Sequence, residues 1–156
     1  MARQSARFSR RTMLAAVAAG IGVPAIARFQ IGTARAQGSA ARIRLAFADQ
    51  DFTATLEDNP SARDLVSMLP LDLTITDYST NEKIAYLPRK LTGDGRTGFG
   101  NEAVGDLCYF APWGNLAMFH GPYRWGRGLI RLGRLDEGAA PLLVRGEHPL
   151  RIEILS

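Results

Sequence analysis

Apolar and polar residues alternate from Arg42 to Phe47, placing Ile43, Leu45 and Phe47 on one face. Phe52, Ala54 and Leu56 repeat the alternation, so two strands are predicted with a turn through Asp49-Gln50-Asp51 between them. The period then changes. Ala62, Leu65, Val66 and Leu69 follow helical spacing behind Asn59, a good N-cap, and Pro60, which suits a first helical position. Pro70 ends that helix. Leu71, Leu73 and Ile75 alternate as a third strand, the polar stretch Asp77 to Glu82 reads as a turn, and Ile84 to Leu87 reads as a fourth strand closed by Pro88. Leu107 to Ala111 and Leu116 to Phe119 are apolar runs joined through Pro112-Trp113-Gly114-Asn115. Leu129 to Leu135 sets Leu129, Arg131 and Gly133 against Ile130, Leu132 and Arg134. A turn at Asp136-Glu137-Gly138, a short helix within Ala139 to Val144, a turn at Glu147-His148-Pro149 and a last strand carrying Leu150, Ile152 and Ile154 complete the chain. Many short strands separated by turns predict a mainly β domain, a barrel or sandwich.

Two segments break the pattern. Arg89 to Gly105 carries five glycines, Gly93, Gly95, Gly98, Gly100 and Gly105, and has no clear period. A connection this long in a compact domain is a candidate functional loop, with room for short strands that periodicity does not reveal. The other segment is the start. Arg3, Arg7, Arg10 and Arg11 precede an apolar run from Met13 to Ala27, and Ala34-Arg35-Ala36 is a small-x-small cleavage signal. That order reads as a signal peptide over residues 1–36, leaving a domain at 37–156. Ser9-Arg10-Arg11-Thr12-Met13-Leu14 is similar to the twin-arginine export motif, which predicts an exported, periplasmic protein. The run is 15 residues long and holds Gly20, Gly22 and Pro24, short of the roughly 20 residues a permanent membrane span requires.

The leader changes the charge. The chain has 19 Lys and Arg against 15 Asp and Glu, but residues 1–36 hold six arginines and no acid. The remainder has 13 basic and 15 acidic residues, a net charge of −2, so no nucleic-acid surface is expected. Cys108 is the one cysteine; it sits in an apolar run and reads as a core residue. His120 and His148 share no ligand-like spacing with it, so neither a metal nor another cofactor is expected. No nucleophile elbow or phosphate-binding loop is present. What remains is a set of aromatic and arginine side chains in or beside loops, which suits a groove for a peptide or small ligand. Its candidates are Tyr86, Arg89, Phe99, Trp113, Asn115, Phe119 and His120; Tyr109, Phe110, Tyr123, Trp125, Arg96, Arg124 and Arg127 lie near them in sequence.

The order of these blocks resembles a known family. Ile84-Ala85-Tyr86-Leu87-Pro88, Gly105-Asp106-Leu107, Ala111-Pro112-Trp113-Gly114-Asn115-Leu116-Ala117-Met118-Phe119 and Ile130-Arg131-Leu132-Gly133-Arg134-Leu135 look like the bacterial cyclophilin-like fold family, over about residues 42–155. The resemblance implies a closed eight-stranded β-barrel with one or two short helices at its ends. It also raises the question of prolyl isomerisation. Cyclophilins use an arginine in a Phe-His-Arg segment, and the nearest match here is Tyr86-Leu87-Pro88-Arg89, which makes Arg89 the catalytic candidate. The Gln-Gly-Gly and Ser-Gln-Phe-Phe stretches of cyclophilins are absent. Three readings follow: a binding module for a peptide or small ligand, a peptidyl-prolyl cis-trans isomerase, or an accessory subunit of another exported protein. No particular protein partner can be read from the residues.

Overall fold

The computed structural model describes residues 40–156; the proposed leader lies outside the described residues. The strands are β1 (Arg42–Phe47), β2 (Gln50–Leu56), β3 (Leu71–Tyr78), β4 (Glu82–Tyr86), β5 (Asp106–Phe110), β6 (Asn115–Phe119), β7 (Leu129–Leu135) and β8 (His148–Leu155). One helix, α1 (Pro60–Met68), and a 3-10 turn at Ala140–Leu143 accompany them. The strands close into an antiparallel barrel in the order β1-β2-β7-β5-β6-β4-β3-β8. This is the eight-stranded closed barrel that the resemblance implies.

The alternating strands form as their patterns predict. Ile43, Leu45 and Phe47 of β1, Phe52, Ala54 and Leu56 of β2, and Leu150 and Ile152 of β8 are buried in one core. At the start of α1, Asn59 accepts a hydrogen bond from the Ala62 N–H at 2.9 Å, and Ala62 and Leu65 are buried. That cap satisfies one of the free N–H groups every helix start leaves over.

Several boundaries differ from the pattern. The first hairpin turns on Ala48 and Asp49 alone, because Phe47 pairs with Gln50; Ala48 takes the left-handed backbone, φ 51°, that a two-residue turn needs. The polar stretch Asp77 to Glu82 is half strand: Tyr78 pairs with Glu82, and only residues 79–81 turn. Polar side chains are tolerated there because they sit at a barrel end. Asn115 belongs to β6, where it pairs with both Phe110 and Tyr86. His148 is the first residue of β8 rather than part of a turn, paired with Ile75. Residues 89–105 contain no strand. They are pinned instead by two side chains and a backbone bond: the Leu91 N–H donates to the Tyr109 hydroxyl at 3.0 Å, the Thr92 N–H to Asp64 at 2.7 Å, and the Gly128 N–H to the Gly95 carbonyl at 2.9 Å.

In β7 the alternation is broken by a bulge. Leu107 faces Gly133 and Cys108 faces Arg131, so Leu132 has no partner on β5. An extra residue shifts everything beyond it by one face. Arg131 and Arg134, three apart in sequence, therefore emerge on the same side and meet one carboxylate, Asp106.

Candidate functional site

β5 and β6 are buried on both faces. Leu107, Tyr109, Leu116 and Met118 fill the barrel. On the outside, Cys108, Ala117, Phe119 and Leu129 form a second apolar cluster with Phe99, Phe110, Tyr123 and Trp125 packed over it. The loop 120–128 folds back across the outer sheet to make this layer. Its Tyr123 stacks on Phe119 with ring centroids 3.6 Å apart and planes at 6°. Trp125 anchors it through Nε1, which donates to the Leu129 carbonyl at 2.9 Å, and through its N–H, which donates to Glu102 at 3.0 Å.

A cleft of about 460 Å³ opens beside that layer, on the outer face of β3, β4, β6 and β5. Its floor is Ile84, Ala117, Asn115 and Glu82. One wall is Phe119 with Tyr123, Arg124 and Gly126 of the folded-back loop. The other is the turn after β5, where Trp113 sits edge-on to both Tyr78 and Phe110, with centroids 5.5 Å apart in each pair. Tyr78 and Trp113 remain 41% and 48% exposed, so the aromatic rim is open to an incoming ligand.

Two polar groups of the floor lack partners. Asn115 is buried; its Nδ2 donates to the Leu116 carbonyl at 3.0 Å, while its Oδ1 is buried with no partner among the described residues. A buried carbonyl oxygen left in this state costs stability until a donor reaches it. Glu82 is partly buried, and burial alone pushes its carboxyl above the usual range. The charged form is therefore disfavoured in the cleft, and no cation among the described residues pairs with it.

Beneath the Tyr123 wall lies a buried ionic cluster. Asp106, fully buried, accepts from the Tyr123 hydroxyl at 2.6 Å, the Arg134 Nε at 2.5 Å and the Ala103 N–H at 3.0 Å. Arg131 stands 3.6 Å away and is shared with Glu57 at 2.5 Å. Burial alone would raise the Asp106 carboxyl, but these donors hold it below its ordinary value. Cys108, beside Tyr123, is pushed up to about 12 by burial, which keeps it an inert thiol at neutral pH.

The sequence candidates divide. Trp113, Asn115 and Phe119 line the cleft together. Tyr86 is exposed at the end of β4, paired with Asn115 on the neighbouring strand. His120 follows β6; its N–H donates to the Asn81 carbonyl at 2.9 Å, and its Nε2 is buried without a partner among the described residues. Phe99 lies in a separate, more open depression of about 500 Å³, under the Arg131 guanidinium at 4.7 Å. Arg89 points to α1, where it pairs with Asp64 at 2.7 Å and also reaches Ser67. That pairing, with the Thr92 N–H, holds the Asp64 carboxyl well below the carboxylate range. The guanidinium that does line the cleft is that of Arg124. Pattern reading missed Tyr78 and Glu82, assigned to a turn, and Ile84 as part of a floor. The alternation Glu82, Ile84, Tyr86 down one side of β4 was the available signal. Among the described residues, no cluster of His, Cys, Asp and Glu is placed to hold a metal, and no helix is long and apolar enough to cross a membrane.

Comparison with known proteins agrees with the architecture. A sequence model described as the cyclophilin-like family matches residues 45–154. The solution structure of a hypothetical protein from Archaeoglobus fulgidus is similar in fold, with a TM-score of 0.62 at 16% identity, covering 76% of this chain and 98% of that one. No curated protein matches the sequence.

Proposed function

The chain belongs to the cyclophilin-like family, and we propose that it is an exported binding module that holds a small ligand or short peptide in the outer cleft. The observation that carries this reading is a cleft of about 460 Å³ whose walls are aromatic and whose buried floor leaves Asn115 Oδ1 without a partner. Apolar walls supply affinity, and a few unsatisfied polar groups fix orientation; that is the usual composition of a ligand site. The prolyl isomerase reading drawn from the resemblance needs Arg89 in the same cleft as Phe119, and Arg89 is engaged with Asp64 instead; the guanidinium beside Phe119 is that of Arg124. An accessory-subunit reading needs a broad apolar face. The most exposed aromatics near the sheet, Tyr78, Tyr86 and Trp113, instead gather at the cleft mouth or just beside it.

Two-dimensional amide NMR of the protein during titration with small aromatic fragments and short X-Pro peptides tests the binding reading. Binders should shift the Trp113 indole, Asn115 and Tyr123 signals first, and Trp113→Ala should weaken them at least tenfold, the scale of losing one buried aromatic anchor. Shifts confined to the depression around Phe99 and Thr92 would reject the cleft as the site. Export rests on the basic, apolar and small-residue order of the first 36 residues. The protein recovered from a cell envelope fraction should begin at Gln37, and replacing Arg10 and Arg11 by lysine should keep it in the cytoplasm. Retention of the full N-terminus in the cytoplasm of unaltered cells would refute export.

A further inference from the structure

We propose that the ligand of the outer cleft carries a protonated amine on an apolar body, with Glu82 as its counter-charge. This rests on the binding reading above and adds the ligand's chemistry to it.

Donors stand at the rim of the cleft, on Tyr78, Trp113 and Arg124, but the polar inventory of its floor is lopsided. The Tyr123 hydroxyl is turned away to Asp106, the Asn81 amide donates to the Pro122 carbonyl at 3.0 Å, and the Asn115 amide donates to Leu116. Among the described residues, the floor leaves two acceptors without a partner, the Glu82 carboxyl and the buried Asn115 Oδ1. A ligand that satisfies both must bring N–H or O–H donors, and one that offsets a partly buried carboxylate must bring positive charge. An ammonium group does both. The walls favour the same charge, because Tyr78, Phe110, Trp113 and Phe119 surround the floor with aromatic rings whose faces are negative.

The charges around Glu82 do not already supply this cation. On β4 the next residue, Lys83, is fully buried and bonded to Asp77 of β3 at 2.7 Å. The residues paired with Glu82 are Tyr78 on β3 and Phe119 on β6, with His120 following Phe119. Arg124 is the cationic side chain of the cleft, and it is exposed at the mouth. It also borders Glu102, whose carboxyl is lowered first by backbone N–H groups and then by this guanidinium. An exposed, solvated charge at the mouth does little to neutralise a carboxylate on the floor. Because burial raises the Glu82 carboxyl, an arriving cation pulls it back down. Affinity for an amine therefore rises with pH through the titration of Glu82 and falls again only where the amine itself loses its proton.

Benzylamine, benzyl alcohol and benzoate share one ring and differ in charge, so calorimetric and NMR titration of the full chain with these three probes separates the possibilities. At pH 7 benzylamine is expected to bind at least tenfold more tightly than benzyl alcohol, and benzoate more weakly than either. Glu82→Gln should bring benzylamine to within about twofold of benzyl alcohol. On the unaltered protein, benzylamine affinity should fall as the pH is lowered through the Glu82 titration while benzyl alcohol affinity stays flat, a readout that needs no variant to fold. Equal binding of amine and alcohol at Trp113, or tighter binding of benzoate, overturns the amine assignment and leaves the cleft a binding site of other chemistry. No shift at the cleft from any of the three probes overturns both readings.

Discussion

Gly133→Ala is expected to cost the barrel at least about 3 kcal/mol, at the upper end for forced overpacking. Gly133 lies where β7 pairs with β2 on one side and β5 on the other, opposite Leu56 and Leu107. A Cβ added there would collide with the Thr55 carbonyl oxygen and stand 2.8 Å from the Leu56 Cα. Both are backbone atoms of a strand held in register, so no side chain can move aside. With a total stability of roughly 5–15 kcal/mol, such a loss removes a large part of the margin and lowers the melting temperature by ~12 °C or more. Gly138→Ala is the control. Its φ is +83°, but an added Cβ meets nothing within 4 Å, so only the backbone conformation is penalised, by about 1–2 kcal/mol. Thermal and urea unfolding of the two variants separates space from strain. A Gly133→Ala protein within 1 kcal/mol of the parent (roughly the scale of an ordinary substitution) would mean that β2 and β7 do not approach as closely as described.

The second large effect falls on the ionic cluster under the cleft. Asp106→Asn keeps the shape but removes the charge that compensates Arg134 and Arg131, and it offers an N–H where Tyr123, Arg134 and the Ala103 N–H all donate. Breaking one side of a buried ion pair typically costs about 3–5 kcal/mol; Arg131 keeps Glu57 and Arg134 is half-exposed, so the loss is expected at the low end of that range. The loss should reach the cleft as well. Tyr123 is held by this carboxylate and forms the wall stacked on Phe119, so fragment binding should weaken in the variant even at temperatures where it stays folded. The pH dependence has a definite sign. The folded carboxyl is lowered below its unfolded value, so its contribution is complete above the ordinary carboxylate pKa and is lost as pH falls through the lower, folded value. Urea unfolding between pH 7 and pH 3 should therefore show a smaller loss of stability in Asp106→Asn than in the parent. Parallel curves would remove Asp106 as the ionised centre of the cluster.

Much of the cleft was hidden from pattern reading for a physical reason. β5 and β6 read as continuous apolar runs because both faces are covered, one by the barrel and one by the loop 120–128. A continuous run says that a strand is buried, and is silent about what covers each side. Trp113, Asn115 and Phe119 could be picked out because aromatic residues beside glycine-rich turns are conspicuous in a sequence. For Glu82 the alternation with Ile84 and Tyr86 gives a face but no role, because a glutamate at a strand end has the composition of any turn. Its chemistry comes from what surrounds it, and Tyr78 and Phe119 reach it only through pairing across two different strands.

Local signals were enough for local structure. The Asn59 cap and Pro60 start α1, the alternation of β1, β2 and β8 marks the barrel-facing residues, and the order of the blocks pointed to the barrel itself. The tertiary structure decided the rest. Closure joins β2 to β7 and β4 to β6, strands far apart in the chain that no period of two can match. A single bulged residue, Leu132, turned Arg131 and Arg134 to one side, where Asp106 holds them. Alternation tells which side chains share a face within one strand. Which strands meet, and which loop folds back over their outer face, depends on contacts between residues dozens of positions apart, and there the cleft and its unpaired carboxylate were made.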